Sequence, residues 1–331
     1  MVESRAVDEQ RHRRRNDDSM MFVFGDSFVD AGNRPPTTDK TVRSRQWFYP
    51  YGSSDSAHGN RATGRLSNGL VQSDILARML GQDESPPSYR LRKPNQVDPS
   101  GVNFAMAGSD VAAASSAQGG LANQIDQFRR LVNLEIIKEE DLQDSVALIG
   151  FSGGHDYATV SVAAPSDEIM AVANQVTDMI ADAVKRLQDL GVSKVLVNSM
   201  PPIGCLPYRT WQQNYAQCDT QANRMSSMHN DALRNKLDQL EDVLFLDLDS
   251  TFSDLIQSAE FKQGGYMPCC DATQKPDGYC GQEDNNGKAQ YSVCPNPDDF
   301  FFWDYVHPTQ AGWEAAMDRL RQPILDFLAI N

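Results

Sequence analysis

Four short apolar runs constrain this chain more than any other feature. MMFVF (20–24), SVALIGF (145–151), KVLVNSM (194–200) and VLFLDL (243–248) each have the form of a buried parallel strand, and the first runs into a turn at Gly25. Helical patterns lie between them. The clearest covers 166–191, where Ile169, Val172, Val176, Ile180, Val184 and Leu187 recur on one face, with Ser166 placed as N-cap and Gly191 as C-cap. QANRMSSMHNDALRNKLDQLE and GWEAAMDRLRQPILDFLAI supply two more helices. Strands alternating with helices predict an α/β fold, a parallel sheet covered on both faces.

At 331 residues the chain can bury a full core, and no Gly/Ser or Pro-rich linker divides it. The expected organisation is therefore one domain over 20–331, preceded by a polar arm over 1–19. That arm has neither hydrophobic periodicity nor an h-region, so it reads as flexible and not as a signal peptide. A formal net charge of −15 argues against a nucleic-acid partner, because an acidic surface repels phosphate. The one basic cluster, RHRRR, is flanked by acids, and no apolar run approaches the roughly 18 residues of a membrane span.

Six cysteines, Cys205, Cys218, Cys269, Cys270, Cys280 and Cys294, all fall in the second half and form no C-x-x-C pair. Their number and spacing favour disulfides over zinc, and the adjacent Cys269 and Cys270 are expected to take different partners because a vicinal bridge is strained. Such usage points to a secreted or secretory-pathway protein, although the chain has no N-x-S/T sequon. The segment 259–298 reads as a long surface excursion stapled by these bridges.

In open α/β sheets ligands bind beyond the carboxyl ends of the strands. Three stretches lie where chemistry is expected: Gly25-Asp26-Ser27, Ser152-Gly153-Gly154-His155-Asp156, and Asp304 to His307. A serine hydroxyl needs a base to accept its proton, and the base needs a third group to hold it. Of five histidines, His12 lies in the arm, His58 in a polar loop and His229 in a helical pattern, which leaves His155 and His307. Asp304 stands three residues before His307, close enough for a tight turn or the first turn of a helix to bring its carboxylate to Nδ1.

FVFGDSFVDAGN, RATGRLSNG, GVNFAMAGSD, FSGGHDY, PPIGCLP and FFWDYVHPTQAG, in that order, resemble the blocks of the plant GDSL esterase/lipase family, a branch of the SGNH hydrolases. The resemblance runs from about residue 20 to the C-terminus. It implies a flavodoxin-like three-layer αβα sandwich, with Ser27 as nucleophile, His307 as base and Asp304 as the acid that orients it. It also implies an oxyanion hole built from the Ser27 and Gly108 backbone amides and an asparagine of the fourth block. Here that block departs from the family's usual G-x-N-D, because His155 stands where asparagine is usual. Asparagine always offers an amide donor; histidine does so only in the right tautomer or when protonated. His155 is expected to replace it and to add a pH dependence near neutrality.

GFSGGHD raises a competing candidate, since it satisfies G-x-S-x-G with Ser152 as nucleophile. A nucleophile elbow is a strand-to-helix turn, yet HDYATVSVAAP carries no helix signal before Ser166, so Ser152 is read as a structural serine beside the oxyanion hole. Arg65 of TGRLSNG is expected to shape a loop, with an anchor for substrate or for a carboxylate as the other reading, and PPIGCLP to form a rigid turn with Cys205 bridged. The expected activity is hydrolysis of a carboxylic ester, in a lipid, an acetylated sugar or polysaccharide, or a small acyl ester, with no cofactor and no metal. Transfer of the acyl group to an alcohol acceptor such as a pigment, sterol or sugar is the alternative, and a non-catalytic binding protein the third reading.

Overall fold

The computed structural model describes residues 19–112, 119–261 and 265–330; of the arm expected over 1–19, residues 1–18 lie outside them. Five parallel strands, β1 (Met21–Gly25), β2 (Gly101–Asn103), β3 (Val146–Gly150), β4 (Lys194–Asn198) and β5 (Val243–Leu246), form one sheet in the order β2-β1-β3-β4-β5. Four of them are the apolar runs of the sequence, and β1, β2 and β3 are buried along their whole length, as strands covered on both faces must be. The order reverses between β1 and β3, which pair in register from Met21 opposite Val146 to Gly25 opposite Gly150. That reversal is the switch point at which an open parallel sheet leaves a crevice for ligands.

Six longer helices cover the sheet: α1 (Gln72–Met79), α2 (Leu121–Asn133), α3 (Ser166–Asp189), α4 (Thr220–Leu237), α5 (Leu248–Gln257) and α6 (Gln310–Leu328). α2, α3 and α4 pack together as one layer, and α1, α5 and α6 as the other, giving the three-layer αβα sandwich. Aromatic clusters weld each layer to the sheet. Phe22 of β1 meets Phe128 of α2 at 4.8 Å between ring centroids, while Trp313 of α6 meets Phe28 at 5.2 Å and Phe252 of α5 at 5.6 Å. In α3, Ile169, Val176, Ile180, Val184 and Leu187 are buried as their spacing predicts, and Val172 is half-buried. Its start differs by one residue from the expected cap: Pro165 is the N-cap and Ser166 the first helical residue, because the fixed backbone of proline already sets the entry.

Among the described residues, no helix is long and apolar enough to cross a membrane. The excursion after α5 carries an antiparallel pair, β6 (Cys270–Ala272) with β7 (Tyr291–Val293). The bridges are Cys205–Cys218, Cys269–Cys294 and Cys270–Cys280, so the two adjacent cysteines do take different partners. This stapled hairpin is tied to the chain ahead of α6, since the Cys269 and Cys270 amides donate to the Phe302 and Trp303 carbonyls at 2.9 and 2.7 Å.

Candidate active site

The turn that leaves β1 is fixed from three sides. Gly25 has a positive φ of +147°, and a Cβ there would stand 1.9 Å from the Gly150 carbonyl oxygen, so only glycine lets β1 and β3 end this close together. The buried Gln124 side chain of α2 accepts from the Gly25 amide and donates to its carbonyl, at 2.8 and 2.9 Å. Asp26 Oδ1 accepts the Phe28 amide at 3.0 Å, closing a side-chain turn around Ser27, whose residue remains half-buried.

His307 Nε2 lies 2.8 Å from Ser27 Oγ, and His307 Nδ1 lies 2.7 Å from Asp304 Oδ1. Residues 280 positions apart thus form one chain of hydrogen bonds. The local D-x-x-H geometry is a tight turn: Asp304 Oδ1 also accepts the Val306 and His307 amides at 2.9 Å each, and the Trp303 amide donates to the His307 carbonyl at 2.7 Å.

Two further residues hold Asp304 that sequence reasoning missed. Tyr51 donates its hydroxyl to Asp304 Oδ2 at 2.8 Å, Arg45 Nε donates to the Tyr51 oxygen at 2.8 Å, and Arg45 Nη2 lies 3.5 Å from the same carboxylate oxygen. Both sit in RQWFYPYG, which has no motif linking it to the C-terminus. Burial alone would raise the Asp304 pKa, but His307 and then Arg45 outweigh it and hold the carboxyl well below the usual carboxylate range.

Gly108 and His155 meet across the opening. Gly108 has φ +87°, and a Cβ there would stand 2.9 Å from Arg34 Nη2 and 3.9 Å from His155 Nε2. His155 is exposed. The Ser27 and Gly108 amides donate to no group among the described residues. Ser27, Gly108, His155 and His307 all line one cavity of about 610 Å³, within the range of small-molecule sites.

Two carboxylates, the buried Asp30 and the half-buried Asp156, set the spacing of these parts. Asp30 accepts the Gly32 and Asn33 amides at 2.7 Å each and the Ala107 amide at 2.8 Å, joining the Ser27 loop to the Gly108 loop. Asp156 accepts the Val111 and Ala112 amides at 2.9 and 2.8 Å, joining the His155 loop to the same segment. Burial pushes each of these two carboxyls up to about 6, against the pull of those amides.

Ser152 is buried and bonded to a carboxylate, with no histidine bond among the described residues. Its amide and hydroxyl donate to Asp26 Oδ2 at 2.8 and 2.6 Å, and turns, not a helix, follow it until Ser166. Ser152→Ala is expected to leave fluorophosphonate labelling on Ser27 and to destabilise the fold by about 1.5–3 kcal/mol, through loss of a buried bond to a carboxylate. Peptide mapping and thermal melts check both; label that disappears from a folded Ser152→Ala protein would make Ser152 the nucleophile.

The remaining candidates sort themselves by their partners. Arg65 clamps Asp74 with two bonds of 2.8 and 2.7 Å and takes no part in the cavity lining, so it anchors a carboxylate of the fold. His58 Nδ1 meets Asp55 at 2.9 Å; His229 is buried against the Tyr157 hydroxyl at 2.9 Å, and burial pushes it down to about 4. Among the described residues, no group of three or more His, Cys, Asp or Glu side chains is placed to hold a metal ion.

The family model for GDSL-like Lipase/Acylhydrolase matches residues 21–320. One GDSL esterase/lipase of Arabidopsis thaliana is 31% identical over 322 residues, covering 92% of this chain and 86% of its own. A second from the same plant is 31% identical over 323 residues, covering 93% and 95%, and a third is 33% identical over 319 residues, covering 91% and 85%. The match takes in both the strand that delivers Ser27 and the turn that delivers His307, and the chain belongs to the GDSL-like lipase/acylhydrolase family.

Proposed function

We propose that this protein hydrolyses carboxylic esters through an acyl-enzyme on Ser27. The observation that carries the reading is the unbroken chain Ser27 Oγ, His307, Asp304, with bonds of 2.8 and 2.7 Å. Ser27 Oγ attacks the ester carbonyl carbon as its proton passes to His307 Nε2, and Asp304 stabilises the imidazolium that forms. The carbonyl oxygen, now negative, is received by the Ser27 and Gly108 amides and by the His155 ring. The intermediate collapses as His307 gives the proton to the leaving alcohol. Water, activated by the same imidazole, then adds to the acyl group and frees Ser27.

The two unpaired amides support this assignment, because donors without partners beside a nucleophile are what an oxyanion needs. His155 supplies the side-chain donor in place of asparagine. His155→Asn is expected to keep a donor and to stay within about ten-fold of wild type, and His155→Ala to cost about 10²-fold in kcat. Values of kcat for the three proteins decide it; a His155→Ala protein as fast as wild type would remove His155 from the oxyanion hole.

Transfer to an alcohol would run through the same acyl-enzyme. The half-buried Ser27 and exposed His155 favour access of water, and hence hydrolysis. Reaction in the presence of an added alcohol, with free acid and new ester both quantified, measures the partition. Retention of this hydrogen-bonded chain argues against a binding protein that has lost its chemistry. The three disulfides fit work in an oxidising compartment, in keeping with a secreted enzyme.

A further inference from the structure

The cavity in front of Ser27 has a charge opposite to that of the chain. The protein has a formal net charge of −15, yet Arg34, Arg43, Arg45 and Arg209 line this cavity and, among the described residues, no aspartate or glutamate does. Their surroundings separate the four guanidinium groups into two kinds. Arg45 is engaged by Tyr51 and Asp304, and Arg34 donates to the Ala107 carbonyl at 2.5 Å. Burial lowers the Arg34 pKa and the like charges of Arg43 and Arg45 lower it further, with Asp30 opposing them.

Arg43 and Arg209 have no such engagement. Arg43 is exposed and makes no hydrogen bond or ion pair with any described residue. Arg209 lies over the Tyr208 ring, 5.1 Å from its centroid, and its Nε is buried without a partner. Gln46 adds a third observation: 1% exposed, it lines the same cavity, and its Nε2 has no partner either. A buried donor left unmade destabilises the fold, so Arg209 Nε and Gln46 Nε2, at one cavity with the exposed Arg43, call for an acceptor from outside. The acceptor that matches the guanidinium fork is an oxyanion.

We infer that the ester taken by this site carries a carboxylate or a comparable oxyanion in its acyl or alcohol part, held by Arg43 and Arg209 with the Gln46 amide as a neutral donor. The inference rests on the ester-hydrolase reading for the position of the ester carbonyl at Ser27. A field of this sign also concentrates anionic substrate at the mouth of the cavity while the rest of the acidic surface repels it.

Mono-4-nitrophenyl glutarate and 4-nitrophenyl pentanoate share an acyl length and differ in one terminal carboxylate. After subtraction of the spontaneous rate, kcat/KM should favour the glutarate by about ten-fold or more at low salt, and the ratio should shrink as sodium chloride is raised. Arg43→Gln/Arg209→Gln should cut that ratio about ten-fold, turnover of the neutral ester reporting that the variant is folded. A wild-type ratio at or below one, or a ratio indifferent to both substitutions, overturns the inference and leaves the hydrolase reading standing. If neither ester turns over and a fluorophosphonate fails to label Ser27, the hydrolase reading falls instead. Calorimetry then decides the anion site alone: preferential binding of monomethyl glutarate over methyl pentanoate, lost in the double variant, supports it, and equal binding of the two overturns it.

Discussion

Ser27→Ala is expected to lower kcat for a 4-nitrophenyl ester by about 10⁵–10⁶, and Ser27→Ala/His307→Ala should be no slower than either single variant. On the proposed mechanism the hydroxyl and the imidazole act as one unit through their 2.8 Å contact, so loss of the second partner removes nothing further. What activity survives comes from the unpaired amides at Ser27 and Gly108 and from binding. Steady-state kinetics on the purified variants provide the check, with fluorophosphonate labelling lost in Ser27→Ala. Multiplicative losses in the double variant would mean that the two side chains serve different steps.

Asp304→Asn should cost about 10⁴ in kcat near pH 7, because an amide cannot stabilise the imidazolium and selects the wrong tautomer of His307. Tyr51→Phe should cost far less, about ten-fold, since Oδ2 then keeps only the 3.5 Å approach of Arg45 while Oδ1 keeps its own bonds. The same carboxyl makes stability depend on pH with a definite sign. Its folded pKa lies below its unfolded value, so its contribution is present above about 4 and is lost as pH falls beneath that. Asp30 and Asp156, pushed up to about 6, act the other way, and their contribution is lost as pH rises through that value. Thermal melts should therefore show Asp304→Asn losing less stability than wild type between pH 4 and pH 3. An equal loss would mean that the Asp304 pKa is not depressed.

The sheet was legible where burial on both faces forces an uninterrupted apolar run, as in β1, β3 and β4, and the half-buried edge strand β5 is apolar too. β2 was not, because Gly101-Val102-Asn103 offers one apolar residue and gains its place from pairing with β1. The site shows the same division. Ser27, Asp304 and His307 could be named because each lies in a compact block with its chemistry on view, and Ser152 could be set aside because no helix signal followed it. Tyr51 and Arg45 could not, since Tyr51 lies 253 positions from Asp304 and neither side chain is unusual in its own neighbourhood. Asp26 and Asp156 fell within the stretches where chemistry was expected, but their role in joining loops was not legible. Their carboxylates accept backbone amides of other loops, and such bonds leave no local pattern.

The 280 positions between Ser27 and His307 have a consequence for the order in which the proposed site assembles. A contact of such separation forms only after the segments between its ends have been gathered, since the entropy of loop closure comes before any reward. The three disulfides close local loops within 205–294, over separations of 13, 25 and 10 residues, and none of them ties the Ser27 loop to the His307 turn. A partly folded chain can thus hold an oxidised hairpin while its serine remains an ordinary hydroxyl. On the proposed mechanism, reactivity toward esters arrives only when the turn ahead of α6 docks beside β1, so incompletely folded chains are expected to be silent.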